Sequence, residues 1–408
     1  MIGIMSEPSS SLRVIFRILL YGVGGVIVVF ALFLIYAAIF GPLPLPPSVV
    51  DNAAMGQEPR PYYDGDGVLI AHITDDPIIP EGPGVVIDAP LASDILGETR
   101  PLMVYLPPGY DENCIDAYPV IFTLHGSSGR AQTWINLLID PLESAIETGT
   151  MPPVVVVSGD YSIAGNGTDD PRTPFDDRRG ARYINSNRGR FRDHFFEEIV
   201  PFIFENYHVR TDPGGVVLMG NSMGGFGVLY YALTEPNFSH VLVPIYPTAD
   251  MRYGIDGDKI APYNPESYRP INTDNPKRIV NGAPLFGLFG VTEQWIYYAV
   301  FNSDTEPGEV WTNDLPVWKR LKDHNPADIL RDSPPDLSDQ RYFIIAGDRD
   351  EFNSDDVLKV LLPLLESAGA LVDPETNIIP GGFHDDEFVT EHLDDIFLWL
   401  SVILTVQD

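Results

Sequence analysis

The chain runs to 408 residues, 44% of them apolar, which permits a large core and exceeds the usual single domain of about 100–200 residues. Its 58 acidic and 25 basic side chains leave a formal net charge of −33, which excludes nucleic acid as a partner, since that binding needs Lys and Arg to neutralise phosphates. Cys114 is the single cysteine, so no intramolecular disulfide forms, and its polar neighbours Asp111, Glu112 and Asn113 mark a loop rather than a nucleophile's setting.

From Ile18 to Phe40 there are 23 residues without a charge. A helix of that length spans about 35 Å, enough for the hydrocarbon core of a bilayer. Arg13 and Arg17 precede the run, while Asp51 and Glu58 follow it. The positive flank keeps residues 1–17 cytoplasmic and directs the remainder outward. A cleaved signal peptide needs an apolar region of about 7–15 residues and a small-x-small site. Tyr36-Ala37-Ala38-Ile39-Phe40 is a poor one. The expectation is a retained single-pass signal anchor at 18–40, placing the rest of the chain outside the cell membrane. Residues 41–65 begin Gly41-Pro42-Leu43-Pro44-Leu45-Pro46-Pro47 and read as a stiff linker. Residues 66–408 are then one domain.

That domain alternates strand-like and helix-like runs. Leu102–Leu106, Val120–Leu124, Val154–Val157, Val216–Met219 and Tyr342–Ala346 are continuous apolar runs, with Asn377–Ile379 a candidate sixth. Such runs suit strands buried on both faces, as in parallel sheets. Phe195, Ile199, Ile203 and Tyr207 fall four apart on one helical face, which Pro201 should kink or delay. Residues 386–404 form a last helix. The pattern predicts an α/β fold, a mostly parallel central sheet flanked by helices. Residues 250–325 break the rhythm. They are rich in Pro, Asn, Asp and aromatics such as Tyr253, Trp295, Trp311 and Trp318, and read as an insertion. It serves either as a lid or pocket wall over the sheet's carboxyl edge or as its own small core.

Gly220-Asn221-Ser222-Met223-Gly224 follows one strand directly and opens a helix-like run from Phe226. That context turns G-x-S-x-G into a nucleophile elbow, a tight turn that lifts Ser222 above the sheet. A serine hydroxyl needs a base, itself oriented by an acid, in the order Ser, acid, His. Of His240, His324, His384 and His392, only His384 sits in a loop late in the chain, Gly381-Gly382-Phe383-His384-Asp385. The acid is sought in Gly347-Asp348-Arg349-Asp350-Glu351, with Asp350 favoured over Asp348 and Glu351. Two backbone N–H groups should hold the oxyanion. Met223 supplies one and Ser127, in Leu124-His125-Gly126-Ser127-Ser128-Gly129, the other. His125 precedes the serine and is expected to shape the loop.

Asp160, Asp169, Asp170, Asp176 and Asp177 resemble calcium ligands in type, but their spacing is no EF-hand, so a solvated loop is expected. No phosphate loop or nicotinamide fingerprint is present, and neither cofactor nor metal is expected.

Tyr118–Gly126 with Trp134 downstream, Gly220–Gly225, Gly381–Asp385 and Leu106-Pro107-Pro108-Gly109-Tyr110 together resemble the esterase D / feruloyl esterase / antigen 85 branch of the α/β-hydrolases. The resemblance covers about 95–250 and 325–400. It implies a triad of Ser222, Asp350 and His384 and an α/β-hydrolase fold. The family's activities range over carbohydrate-ester hydrolysis, S-formylglutathione hydrolysis, siderophore-ester hydrolysis and mycolyl transfer. The outward address implied by the anchor suits polysaccharide or lipid esters, such as feruloyl or acetyl esters. An envelope acyltransferase and a non-catalytic binding protein on the same fold are the other two readings.

Overall fold

The computed structural model describes residues 83–165, 180–251, 317–350 and 352–405, all within the unit Arg60–Asp408. The apolar run 18–40 and the linker 41–65 lie outside them. Among the described residues no helix is long and apolar enough to cross a membrane.

The main sheet contains β1 (Val85–Asp88), β2 (Leu102–Leu106), β3 (Val120–Leu124), β4 (Val155–Gly159), β5 (Val216–Asn221), β6 (Val241–Ile245), β7 (Arg341–Phe343) and β8 (Leu371–Asp373). Their spatial order is β1-β2-β4-β3-β5-β6-β7-β8. β2 runs antiparallel to both β1 and β4, and the remaining pairs are parallel. All residues of β2 to β6 are buried. Alternate side chains point to opposite faces of a sheet, so both faces are covered.

Helix α1 (Ala131–Glu147) packs against β2 and β4, and also meets the last helix. Its Trp134 is fully buried and donates Nε1–H to the Leu124 carbonyl (2.9 Å), tying α1 to the end of β3. Of the kink or delay expected at Pro201, the structure shows a delay: regular α-helix begins only at the turn that holds it. The helical segment from Phe191 passes through a π-helical stretch, His194–Ile199, before α2 (Val200–Asn206), where Pro201 lies in the first turn. A proline there needs no hydrogen-bonding N–H. Helix α3 (Met223–Thr234) is buried on every side from Met223 to Leu233, as befits a helix that covers β3, β5 and β6. Next come α4 (Val317–His324), α5 (Pro326–Asp332) and α6 (Ser354–Ser367). The predicted helix 386–404 is two helices, α7 (Asp386–Glu391) and α8 (Leu393–Thr405), joined at His392.

The strands differ from the sequence pattern in several places, among them β1 and β8, which carry no expected run. Tyr342–Ala346 is not one strand. β7 pairs with β8, then the chain changes partner, and Ala346–Gly347 pairs with Ile378–Ile379. The candidate sixth strand therefore lies outside the main sheet, whose edge is the short, partly exposed β8. β6 went unrecognised because Pro244 interrupts it. That proline falls between the pairing of Val241 and Leu242 with β7 and the Ile245–Ile345 bridge, so its missing N–H coincides with a gap in that ladder.

Residues 252–316, most of the expected insertion, lie outside the described residues. Both ends belong to the core. Buried Asn325 accepts from Met251 N–H (3.0 Å) and donates to Asp250 (3.1 Å), and Arg331 donates to the same carboxylate (3.0 Å). Asp160, expected in a solvated loop, is buried. It accepts from Ser162 N–H (2.7 Å), and its carbonyl accepts from Arg100 (3.1 Å). The other carboxylates of that cluster fall outside the described residues. Among the described residues no group of three carboxylate, His or Cys side chains could hold a metal.

Replacing Trp134 with Ala removes a fully buried indole and leaves the Leu124 carbonyl without its side-chain donor. The expected loss is about 3–5 kcal/mol, read as a shift in the denaturation midpoint. A change under about 1 kcal/mol would show that α1 is not anchored this way.

Candidate active site

β5 ends at Asn221, and Ser222 follows with φ 56° and ψ −117°, a left-handed conformation that is costly for a residue with a side chain. Crowding enforces it. A Cβ on Gly220 would stand 2.6 Å from the backbone of Gly224, and one on Gly224 would overlap the Leu124 carbonyl. Ser222 N–H donates to the Ile245 carbonyl (3.0 Å), and its own carbonyl accepts from Phe226 N–H (3.0 Å), the first turn of α3. The hydroxyl is thereby held at the carboxyl edge of the sheet.

His384 Nε2 lies 2.8 Å from Ser222 Oγ, and its Nδ1 lies 2.7 Å from Asp350 Oδ2. Asp350 is fully buried. Its other oxygen accepts from Phe352 N–H (2.7 Å), and its backbone N–H donates to Gly347 (3.2 Å). Asp348 is elsewhere. Its exposed carboxylate accepts from Gly381 N–H (2.7 Å), which helps shape the histidine loop. Glu351 lies outside the described residues. The two loops are laced together by Asp348 N–H to Ile379 O (3.0 Å) and Arg349 N–H to Gly382 O (3.0 Å). The Arg349 guanidinium also rests over the Phe383 ring (4.8 Å).

The other histidines stand apart from Ser222. His240 immediately precedes β6, at the opposite end of the sheet. His324 Nδ1 contacts the Arg320 carbonyl (2.7 Å). His392 is partly buried between α7 and α8, with its ring 4.4 Å from that of Phe388.

Gly126 lies against the serine, since a Cβ there would stand 3.6 Å from Ser222 Cβ. Its carbonyl accepts from Gly129 N–H (2.9 Å) and faces His125 Nδ1 (2.7 Å). In a trans peptide the N–H opposes the carbonyl, so Ser127 N–H points away from that turn. The Ser127 carbonyl accepts from Gly180 N–H (2.9 Å), which fixes the next peptide. Met223 opens α3, so its N–H has no partner within the helix. His125 does shape this loop. Its Nε2 accepts from Tyr161 N–H (2.9 Å), so the proton sits on Nδ1 and is donated to Gly126.

Sequence reasoning missed the residues packed around the imidazole of His384. The Tyr246 ring lies 4.2 Å from it and the Phe352 ring 4.5 Å. Neither sits in a recognisable motif, and only the return of the chain at the ends of β6 and β7 brings them there.

A mostly parallel sheet in the order β1-β2-β4-β3-β5-β6-β7-β8, with a Ser–His–Asp array at its carboxyl edge, defines the α/β-hydrolase class. The sequence matches the profile of the Esterase family, described as "Putative esterase", over residues 93–358, and the chain belongs to that family of carboxylic ester hydrolases. Solved structures agree on the fold. A ferulic acid esterase is 16% identical with a TM-score of 0.54, over 79% of this chain and 99% of that one. An S-formylglutathione hydrolase from Agrobacterium tumefaciens is 16% identical with a TM-score of 0.52, over 79% and 96%. A fluorophosphonate-binding serine hydrolase of Staphylococcus aureus is 15% identical with a TM-score of 0.50, over 78% and 99%.

Burial pushes the imidazole of His125 down from 6.5 to about 4, against the opposing pull of Asp160. The folded protein thus keeps His125 neutral where the unfolded chain would protonate it. Between pH 6.5 and about 4 the unfolded state binds the extra proton, so this residue's contribution to stability falls as the pH drops through that window. An NMR titration should find the His125 ring neutral at pH 5 in the folded protein. A ring protonated at pH 5 would contradict the buried Tyr161–His125–Gly126 hydrogen-bond chain.

Proposed function

We propose that the protein is a serine carboxylesterase in which Ser222, His384 and Asp350 act as a catalytic triad. The observation that carries this is the unbroken hydrogen-bond path from Ser222 Oγ through both nitrogens of His384 to buried Asp350.

In the first step His384 Nε2 takes the Ser222 hydroxyl proton as Oγ attacks the ester carbonyl carbon. Asp350 accepts from Nδ1–H, holds that tautomer and stabilises the imidazolium. The N–H groups of Ser127 and Met223 receive the developing oxyanion. When the tetrahedral species collapses, the alkoxide leaves as an alcohol with the proton from Nε2, and the acyl group stays on Oγ. Water then gives a proton to Nε2 and attacks the acyl carbon. The second collapse returns the proton to Oγ and frees the carboxylic acid.

The substrate class follows from location. The uncharged run 18–40 with Arg13 and Arg17 before it argues for a membrane anchor with the esterase outside. That address favours acetyl, feruloyl or longer acyl esters of polysaccharide or envelope lipid. A net charge of −33 disfavours polyanionic substrates by simple repulsion.

Ser222→Ala is expected to abolish p-nitrophenyl acetate hydrolysis and fluorophosphonate labelling in folded protein. Retained turnover would refute the assignment. Asp350→Asn should keep the fold and lower kcat by roughly 10⁴-fold, because the His384 tautomer is no longer enforced. A loss under tenfold, measured by steady-state kinetics, would remove Asp350 from the triad.

A further inference from the structure

Tyr246 directly follows β6 and is not part of the triad. It is 1% exposed and has φ 32°, a region that L-residues avoid unless their surroundings hold them there. Its contacts reach four separate elements. Its backbone N–H donates to Ile345 (2.7 Å), beyond β7. Its carbonyl accepts from the Ser354 hydroxyl (3.3 Å), at the start of α6. Its phenolic oxygen accepts from Asn221 Nδ2–H (3.0 Å), on the residue immediately before the nucleophile. The same hydroxyl donates to the Asp385 carbonyl (3.0 Å), on the residue immediately after the histidine.

The polarity of this chain is fully defined. A phenol has one proton to give, and the Asp385 carbonyl can only accept, so the remaining oxygen lone pairs take the Asn221 amide proton. Burial holds the phenol well above its usual 10, so it remains an O–H donor at any working pH. Asn221 Oδ1 is buried without a partner among the described residues, so Tyr246 is the anchor of that amide. The Tyr246 ring meanwhile lies against the His384 imidazole at 4.2 Å, with Phe352 also against it at 4.5 Å.

We infer that Tyr246 is a positioning residue that sets the distance between nucleophile and base, by tying Asn221 to Asp385 through one hydroxyl while its ring supports His384. The triad itself offers only one link between the serine turn and the histidine loop, the Ser222–His384 hydrogen bond, which must break and re-form in every turnover. A second link through Asn221, Tyr246 and Asp385 is independent of the chemistry. It keeps Nε2 within reach of Oγ while the proton is elsewhere.

This inference rests on the triad assignment, which the loss of p-nitrophenyl acetate hydrolysis in Ser222→Ala tests separately. Tyr246→Phe keeps the ring and removes both hydrogen bonds. Rates are expressed per active site, counted by exhaustive fluorophosphonate titration, so that loss of folded protein does not enter. Misplacing a catalytic group by about 1 Å costs roughly 100-fold. The expected result is a fall of roughly 10- to 100-fold in both acylation and deacylation, because both use His384, with KM within about twofold. A merely structural role would lower the number of titratable sites and leave the rate at each unchanged. Asn221→Leu cuts the same link at its other end. The double variant should therefore be no slower than the slower single one, since the two sites act as a unit. A rate per site within twofold of wild type in Tyr246→Phe, or multiplicative losses in the double variant, overturns the inference. If Tyr246→Phe yields no folded protein, an unchanged rate per site in Asn221→Leu overturns it alone.

Discussion

The constraint on which the site depends is the closeness of two backbones at the top of β5. The chain must turn from strand to helix while Leu124 at the end of β3 occupies the space beside it. A side chain at 224 would overlap the Leu124 carbonyl, and one at 220 would meet Gly224. Of the three residues between these glycines, Ser222 takes the left-handed conformation. A penalty of about 1–3 kcal/mol for such a residue survives because the surroundings over-determine it. Ile245 and the first turn of α3 grip the peptide on either side. The same neighbours build the rest of the site. Leu124 leads into the loop of Gly126 and Ser127, and Ile245 leads to Tyr246.

The acid and histidine loops follow another logic. Neither is held by a long strand. The chain leaves β7 after three residues, pairs two more with Ile378–Ile379, and so brings Asp350 and His384 together across a two-strand bridge. Backbone bonds from Asp348 and Arg349 continue that zipper. Asp348 contributes its carboxylate to the shape of the loop, while Asp350 turns inward to the imidazole. Two aspartates two residues apart thus have different tasks, because the chain turns between them, with Asp350 N–H donating back to the Gly347 carbonyl.

The readability of these features in the sequence follows from how local they are. The strand, the G-x-S-x-G turn and the buried helix after Ser222 are contiguous, so the turn was legible from residues 216–233. His384 was legible by chain order and by its glycine-flanked loop. The preference for Asp350 agrees with its place beside His384, though Asp348 was separable from it only in three dimensions. β6 was hidden by Pro244, whose harmlessness depends on a gap in the ladder with β7. β8 was hidden because three half-exposed residues at a sheet edge carry little periodicity. Asp160 looked solvated because its buried partner Arg100 lies 60 positions away. Tyr246 had no local signal. Its partners Asn221 and Asp385 are 25 and 139 positions distant.

The polar knot at Asp250, Met251, Asn325 and Arg331 has a consequence for how this protein can diversify. The chain leaves the sheet region and re-enters it through residues that bond directly to one another. Segments spliced between such adjoining points change length cheaply, since each doubling of a flexible loop adds only about 0.6 kcal/mol of closure entropy. The knot therefore acts as a fixed socket. Descendants of this chain can exchange, lengthen or trim what lies between 252 and 316 while β6, Tyr246 and the serine turn keep their places.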